Sequence, residues 1–260
     1  MKVAFCLYGL SGGFSERIPG RRSYSHKIDI MEESFKSYKK NILDFNKNVK
    51  FRIYIHTRNH KNVDKIISMY KPKKYIIDKP ILELLEKDKN YSDYNKLTLS
   101  QTDISLISRY DSVNKVLSLA DGKYDLIFLC RFDLMFLKPL DFSKIILDEK
   151  KVLVLSHPIY YYKNDIVTPI HKHYQKIIKN EIRLAKVIKD KKKFLNDHIM
   201  IFKPKNKNKI INMGKEHSRI KQNVHGFFAD YLNKRFEVIF SELRAAYDVA
   251  LTRQYLLKGS

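Results

Sequence analysis

Arg131 and Asp133 stand two residues apart inside the run YDLIFLCRFDLMFLKP, residues 124–139. On an extended chain residues two apart project to the same side, so a guanidinium and a carboxylate meet beside Leu126, Ile127, Phe128 and Leu129. Burying such charges costs on the order of several kcal/mol unless they are paired or bound. Two arrangements satisfy that demand. One is a mutual ion pair at a strand end. In the other, Arg131 keeps Asp133 ionised as a metal ligand while itself meeting an anion.

The run FLNDHIMIF sets a second question of this kind, because Asn196, Asp197 and His198 sit just before an apolar stretch. Asp197 has the chemistry of a general base, and His198 that of a metal or phosphate ligand. The plain alternative is a turn in which Asn and Asp bond the local backbone. His171 and His173, in HKHY, have no further ligands at metal-binding spacing and read as surface residues of a basic helix.

The elements that must position these groups alternate. Val3 to Tyr8 reads as a strand ending in a glycine-bearing turn. Ile28, Met31, Phe35, Tyr38, Ile42 and Phe45 fall alternately three and four apart, which predicts one apolar helix stripe. FRIYIHT is a strand, Val63 to Tyr70 a helix, and KYIID a strand closed by Lys79-Pro80. Residues 81–102 read as a polar loop. A helix from Asp103 to Ala120 stops at Asp121-Gly122 and leads into the charged apolar run.

KVLVLSHP follows as a strand. After it come a basic helix near 172–189, the strand HIMIF, the helix HGFFADYLNK, the strand FEVIFS and a last helix near 247–257. This order predicts one domain of α/β class, a mostly parallel sheet with helices on both faces and a mixed α+β C-terminal part.

Ligands of open α/β sheets bind beyond the carboxyl ends of the strands. The first strand delivers Tyr8, Gly9, Leu10, Ser11, Gly12 and Gly13 there, with Arg17, Arg21 and Arg22 behind. The second delivers His56, Thr57, Arg58 and Asn59, and the central one Arg131 and Asp133. Basic side chains and one carboxylate suit a diphosphate and a divalent cation. The glycines match neither GxGxxG nor GxxxxGK[ST], so neither a dinucleotide fingerprint nor a P-loop is present.

The chain has 260 residues, and its 51 Lys+Arg exceed its 28 Asp+Glu to give a formal charge of +23. That charge favours phosphate-bearing ligands, nucleic acid or an anionic membrane. Cys6 and Cys130 lie in apolar runs, which predicts buried free thiols in a reducing compartment. The opening MKVAFCLYGLSGG is too short an apolar run for a signal peptide or a span. A cytoplasmic protein is the expectation.

Taken in order, KVAFCLYGLSG, IYIHTRN, YKPKKYIID, SLISRYDSVNKVLSLA, YDLIFLCRFDLMF and FLNDHIMIF resemble the small GT-A-type glycosyltransferases. These are encoded in bacterial surface-polysaccharide clusters and in large DNA viruses. The resemblance spans most of residues 1–240, and order and spacing carry it.

The resemblance implies a GT-A-like (Rossmann-like) nucleotide-sugar fold, with residues 1–140 as the nucleotide-binding half and 141–260 as the acceptor-side half. It sets Asp133 in the place of the metal-binding acidic motif, with Arg131 where a DxD sequence has its first aspartate, and implies Mn²⁺ or Mg²⁺. Tyr8, Gly9, Leu10, Arg17, His56 and Thr57 would contact the nucleotide. Arg109 and Tyr110 would line the donor pocket, and Arg131 would face the diphosphate. Asp197 would stand near the acceptor, with His198 as a ligand.

The implied partners are a nucleotide-sugar donor and an oligosaccharide or lipid-linked glycan acceptor. Arg17, Arg21 and the lysines of 172–193 offer peripheral contact with an anionic membrane. The alternative is a basic nucleic-acid-binding protein or nuclease. The absence of a recognisable binding module and the scatter of the basic residues speak against it, and no nucleic-acid partner is expected.

Overall fold

The computed structural model describes residues 1–9, 28–58, 63–79, 83–84, 101–156, 195–217, 224–243 and 248–251. Leu10, Ser11, Gly12, Gly13, Arg17, Arg21, Arg22, Asn59, His171, His173 and the basic segment 172–193 lie outside them, as does the greater part of the expected loop 81–102.

Strand β1 (Lys2–Tyr8) is almost wholly buried and pairs in parallel with β2 (Lys50–Arg58) and β4 (Leu126–Arg131). Beyond β2 lies β3 (Lys74–Asp78), also parallel. β7 (Leu195–Phe202) enters antiparallel between β4 and β6 (Lys151–Ser156), and β8 (Glu237–Phe240) completes the sheet in parallel with β6. The order is β3-β2-β1-β4-β7-β6-β8, and β7 alone of the seven runs in reverse. The expected α/β class and mostly parallel sheet are found.

Strand alternation sends side chains to two faces. Val3, Phe5, Leu7, Phe128 and Cys130 face α1 (Ile28–Tyr38) and α2 (Val63–Tyr70), where Phe5 stacks on Phe128 at 4.7 Å. Ala4, Cys6, Tyr8, Tyr54, Ile127 and Leu129 face α3 (Gln101–Leu119), α4 (Lys207–His217) and α5 (Val224–Arg235). Burying each large apolar side chain stabilises the fold by about 1.5–3 kcal/mol. Both cysteines are buried free thiols, as expected.

Several boundaries differ from expectation. The stripe of α1 does not reach Phe45, which is 48% exposed. A π-helical turn at Lys39–Leu43 widens the coil, turns the adjacent Asn41 and Ile42 both inward, and rotates Phe45 out. α3 begins at Gln101, two residues before the expected Asp103. β2 contains His56 and Thr57, as expected, and runs one residue beyond FRIYIHT to Arg58. The expected helix near 247–257 is overturned over its described part: Val249–Leu251 form β9, antiparallel to β5 (Leu134–Phe136). A long-range strand partner wins there over the local preference of Ala250 and Leu251.

Candidate active site

The sheet's order places a topological switch point between β1 and β4, since the chain leaves β1 toward β2 and β3 and returns on the other side as β4. Tyr8, the last residue of β1, is in register with His56 of β2 and Arg131 of β4. All three occupy the α3 face of the sheet by alternation, and Arg58 follows His56 on that face. Thr57 points to the opposite face and is buried there. Gly9 follows with φ +100, a conformation that glycine takes without a Cβ penalty as the chain leaves the sheet.

The Arg131 guanidinium grips Asp133 as a fork, Nε donating to Oδ1 at 2.9 Å and Nη2 to Oδ2 at 2.9 Å. The mutual ion pair, one of the two arrangements that spacing allowed, is therefore the one observed. Residues of α1 and of the π-helical turn after it hold the turn that carries the pair. The Tyr38 hydroxyl donates to the Arg131 carbonyl at 2.6 Å and accepts from the Leu134 N–H at 3.2 Å. The Ser37 hydroxyl accepts from the Phe136 N–H at 2.8 Å, and Asn41 donates to the Phe136 carbonyl at 2.6 Å. The Phe132 N–H donates to the Tyr8 carbonyl at 3.0 Å and ties the turn to β1.

Arg109, from α3, is electrostatically coupled to Tyr8, Arg131 and Asp133. Burial holds its guanidinium below the usual arginine range, and the nearby Arg131 charge adds to that. Burial also pushes the Tyr8 phenol up to about 12, against the pull of Arg109 and Arg131. Among the described residues, two guanidinium groups thus share the end of β1 with the Asp133 carboxylate. Beneath them a cavity of about 20 Å³ lies between Tyr8, Arg109, Tyr110 and Leu129, room for one water at most. Tyr110 is buried against α4, where a Cβ on Gly214 would come within 2.7 Å of its own Cβ.

A second cluster occupies the same face nearer β3. The Arg58 guanidinium donates to Asp111 at 2.5 Å, Ser108 Oγ at 3.1 Å and the Lys79 carbonyl at 3.1 Å. Lys115 bonds Asp78 and lies 3.2 Å from Asp111, while His56 Nε2 lies 3.1 Å from Asp78. Burial lowers the His56 pKa below its ordinary value, so the ring is neutral at pH 7. Burial alone would raise the Asp78 carboxyl, but the bonds from Lys115 and His56 outweigh it and hold it below the usual range.

The divalent cation that the resemblance implies has two candidate seats among the described residues. Both Asp133 oxygens are engaged by Arg131. His56, Asp78 and Asp111 offer three ligand atoms within 4.8 Å of one another, a donor set of the right type for an ion. Their carboxylates, however, already answer Arg58 and Lys115, and a dication would share the space with two positive charges. His56, Asp78 and Asp111 thus form a candidate seat for a divalent ion, beside the two cations that already bond their carboxylates.

Asn196, Asp197 and His198 lie within β7 rather than ahead of it. The register with β6 jumps there, Val154 facing Met200 and Leu155 facing Asn196, so β7 bulges at 197–199. Asn196 Oδ1 accepts the His198 N–H at 2.9 Å, the local backbone bond that a plain Asn-Asp turn would make. Ile199 faces Cys130, which sets the bulge at the same rim as Arg131. The side chain of Asp197 lies outside the described residues. Tyr38, Ser37 and Asn41 were missed by sequence reasoning. Their only signal is a set of hydrogen-bonding groups on the inward stripe of a helix.

No family model matches the sequence, and no curated protein matches it. Among solved structures the fold is similar to the bifunctional glycosyltransferase WbbM, at 12% identity and a TM-score of 0.43 over 92% of this chain and 38% of that one. It is similar to the galactosyltransferase LgtC in complex with donor and acceptor sugar analogues, at 12% and 0.45 over 92% and 73%. It is also similar to 4-diphosphocytidyl-2C-methyl-D-erythritol synthase from Anaerococcus prevotii, at 12% and 0.45 over 93% and 87%. The chain spans well under half the length of the WbbM chain. These are similarities of fold, and the site is read from its own residues.

Proposed function

We propose that this chain is a glycosyltransferase that moves a sugar from a nucleotide-diphosphate sugar to a hydroxyl of a glycan or lipid-linked acceptor. The observation that carries this reading is the meeting of two guanidinium groups at the switch point, where Arg109 and Arg131 lie with Asp133 beside the end of β1. A pyrophosphate is the ligand that such a place suits. The ordered sequence segments that resemble the GT-A-type enzymes support the same reading. Residues 1–140 would hold the nucleotide and 141–260 would face the acceptor.

Each residue then has a role. As the sugar–phosphate bond breaks, negative charge grows on the departing diphosphate, and Arg131 and Arg109 stabilise it with charge-assisted hydrogen bonds. The fork uses Nε and one Nη of Arg131, so its other Nη faces away from Asp133. Asp133 acts as a positioning residue that fixes the guanidinium plane, and Tyr38 anchors the turn beneath it. Tyr8 and Gly9 border the nucleotide. Asp197, at the β7 bulge, takes the proton of the attacking hydroxyl if the anomeric centre inverts; retention needs no base there.

The deciding experiment incubates the protein with UDP-, GDP- and dTDP-sugars and measures free nucleotide released, alongside thermal shift with each donor. One donor is expected to raise the melting temperature and to be turned over, with both effects lost in Arg109→Gln. Silence in both assays for every donor, together with salt-sensitive DNA retention, would replace this reading by the nucleic-acid one.

A further inference from the structure

The opposite rim of the sheet, where the parallel strands begin, carries a groove unrelated to the switch point. Its cavity volume is about 650 Å³, and its walls are Leu43, Phe51 and Ile53 with Lys2, Arg52, Lys71 and Lys73. The groove exists because β3 begins only at Lys74, opposite Tyr54, which leaves Lys50–Ile53 of β2 without a strand on that side among the described residues. Among the described residues, three apolar and four cationic side chains line it. Arg52, Lys71 and Lys73 are exposed and make no ion pair among the described residues.

Lys71 is also the described non-glycine residue with positive φ, at 44°. It closes α2, where glycine would be the relaxed choice, yet a long cationic side chain stands there.

Two protruding apolar residues frame the same rim. Phe45 is 48% exposed in the turn that leads into β2, and Ile146 is 86% exposed. Both are tied to this end of the molecule. Asn46 accepts the Phe142 N–H at 2.7 Å, Phe142 packs edge-on against Phe51 at 5.2 Å, and the Ile145 N–H returns to the Phe142 carbonyl. Cations that flank a partly apolar groove, with aliphatic and aromatic side chains projecting beyond them, are what an anionic bilayer surface takes up. Phosphates meet the ammonium and guanidinium groups, and the apolar tips enter the acyl boundary. A soluble acidic peptide would use the cations but has no need of the projecting Ile146.

We infer that this rim is a docking surface for anionic phospholipid, distinct from the basic segments outside the described residues and independent of the transfer reaction. It leaves the switch-point rim directed away from the lipid.

The test is co-sedimentation of the full chain with phosphatidylcholine vesicles, with and without phosphatidylglycerol. Binding is expected only with phosphatidylglycerol and is expected to weaken with salt. Arg52→Gln, Lys71→Gln and Lys73→Gln together should lower the affinity about tenfold to a hundredfold, since each basic residue near such a surface counts severalfold. Ile146→Ser leaves every charge in place and should still lower it severalfold, with the melting temperature of each variant confirming the fold. Equal binding to both vesicle types overturns the inference, as does full affinity in the triple variant. So does unchanged affinity in Ile146→Ser combined with equally tight binding to soluble polyglutamate, which would assign the groove to an acidic protein.

Discussion

Around His56, two cations (Arg58 and Lys115) meet two carboxylates (Asp78 and Asp111); around Tyr8, two guanidinium groups (Arg109 and Arg131) gather with Asp133. The clusters share one face of one sheet, both bring guanidinium and carboxylate together, and both draw on the same helix, α3. What separates them is their place. The first lies against β3, with Arg58 and Lys115 bonded to Asp78 and Asp111 and a neutral imidazole beside them. The second gathers two guanidinium groups at the switch point, where this topology binds ligands. Residue type alone thus does not mark a site; its place in the sheet does.

Breaking the cluster around His56 should cost the most. Arg58→Met takes the guanidinium partner from the largely buried Asp111, and a loss of about 3–5 kcal/mol in urea unfolding is expected, the range for removing one member of a buried pair. A variant as stable as the parent would show that the network is not structural. Arg131→Gln strikes the other cluster. Nucleotide release from the donor should fall about 10²–10³-fold, as when one preorganised donor to a developing anion is removed. Stability should drop less than in Arg58→Met, because the Arg131 pair is the more exposed of the two.

Tyr38→Phe sharpens the contrast from behind. It removes the hydroxyl between Arg131 and Leu134, so about 1–2 kcal/mol of stability is expected to go. If Tyr38 positions the fork, KM for the donor rises as well; a change in stability alone would reduce it to a packing role.

The smallest effect is one of pH. In the unfolded chain His56 takes up a proton near its ordinary pKa of 6.5, while burial in the fold resists it. The unfolded state therefore binds more protons as pH drops below about 7, and stability falls with pH until the lower folded value is passed. A thermal unfolding series from pH 7.5 to about 5 should show this slope. His56→Gln, which keeps a donor toward Asp78, should flatten it.

Much of the scaffold was legible because a strand buried on both faces reads as an unbroken apolar run. KVAFCLY and LIFLCR are such runs, and α3 follows from its apolar spacing. The reversal of β7 was not legible, since nothing in LNDHIMIF says that its neighbours run the other way. α4 went unseen because KNKIINMGKEH places only Ile210 and Met213 as buried apolar residues among its polar ones. Strands of three residues, β5 and β9, are set by each other rather than by local preference. At the site, Arg131 and Asp133 were readable as partners from their spacing. The company of Asp78 and Asp111 was not, because a strand end and a helix face meet only in the fold.

The thiols of Cys6 and Cys130 occupy adjacent strands but opposite faces, and burial raises both far above an ordinary cysteine. Neither can react with iodoacetamide until its own layer of helices lifts away. Cys6 is shielded by α3, α4 and α5, and Cys130 by α1 and α2. With one cysteine replaced at a time, alkylation rates would time the exposure of each layer separately, so the native chain carries its own pair of reporters on whether the two sides of the sheet come apart together or in turn.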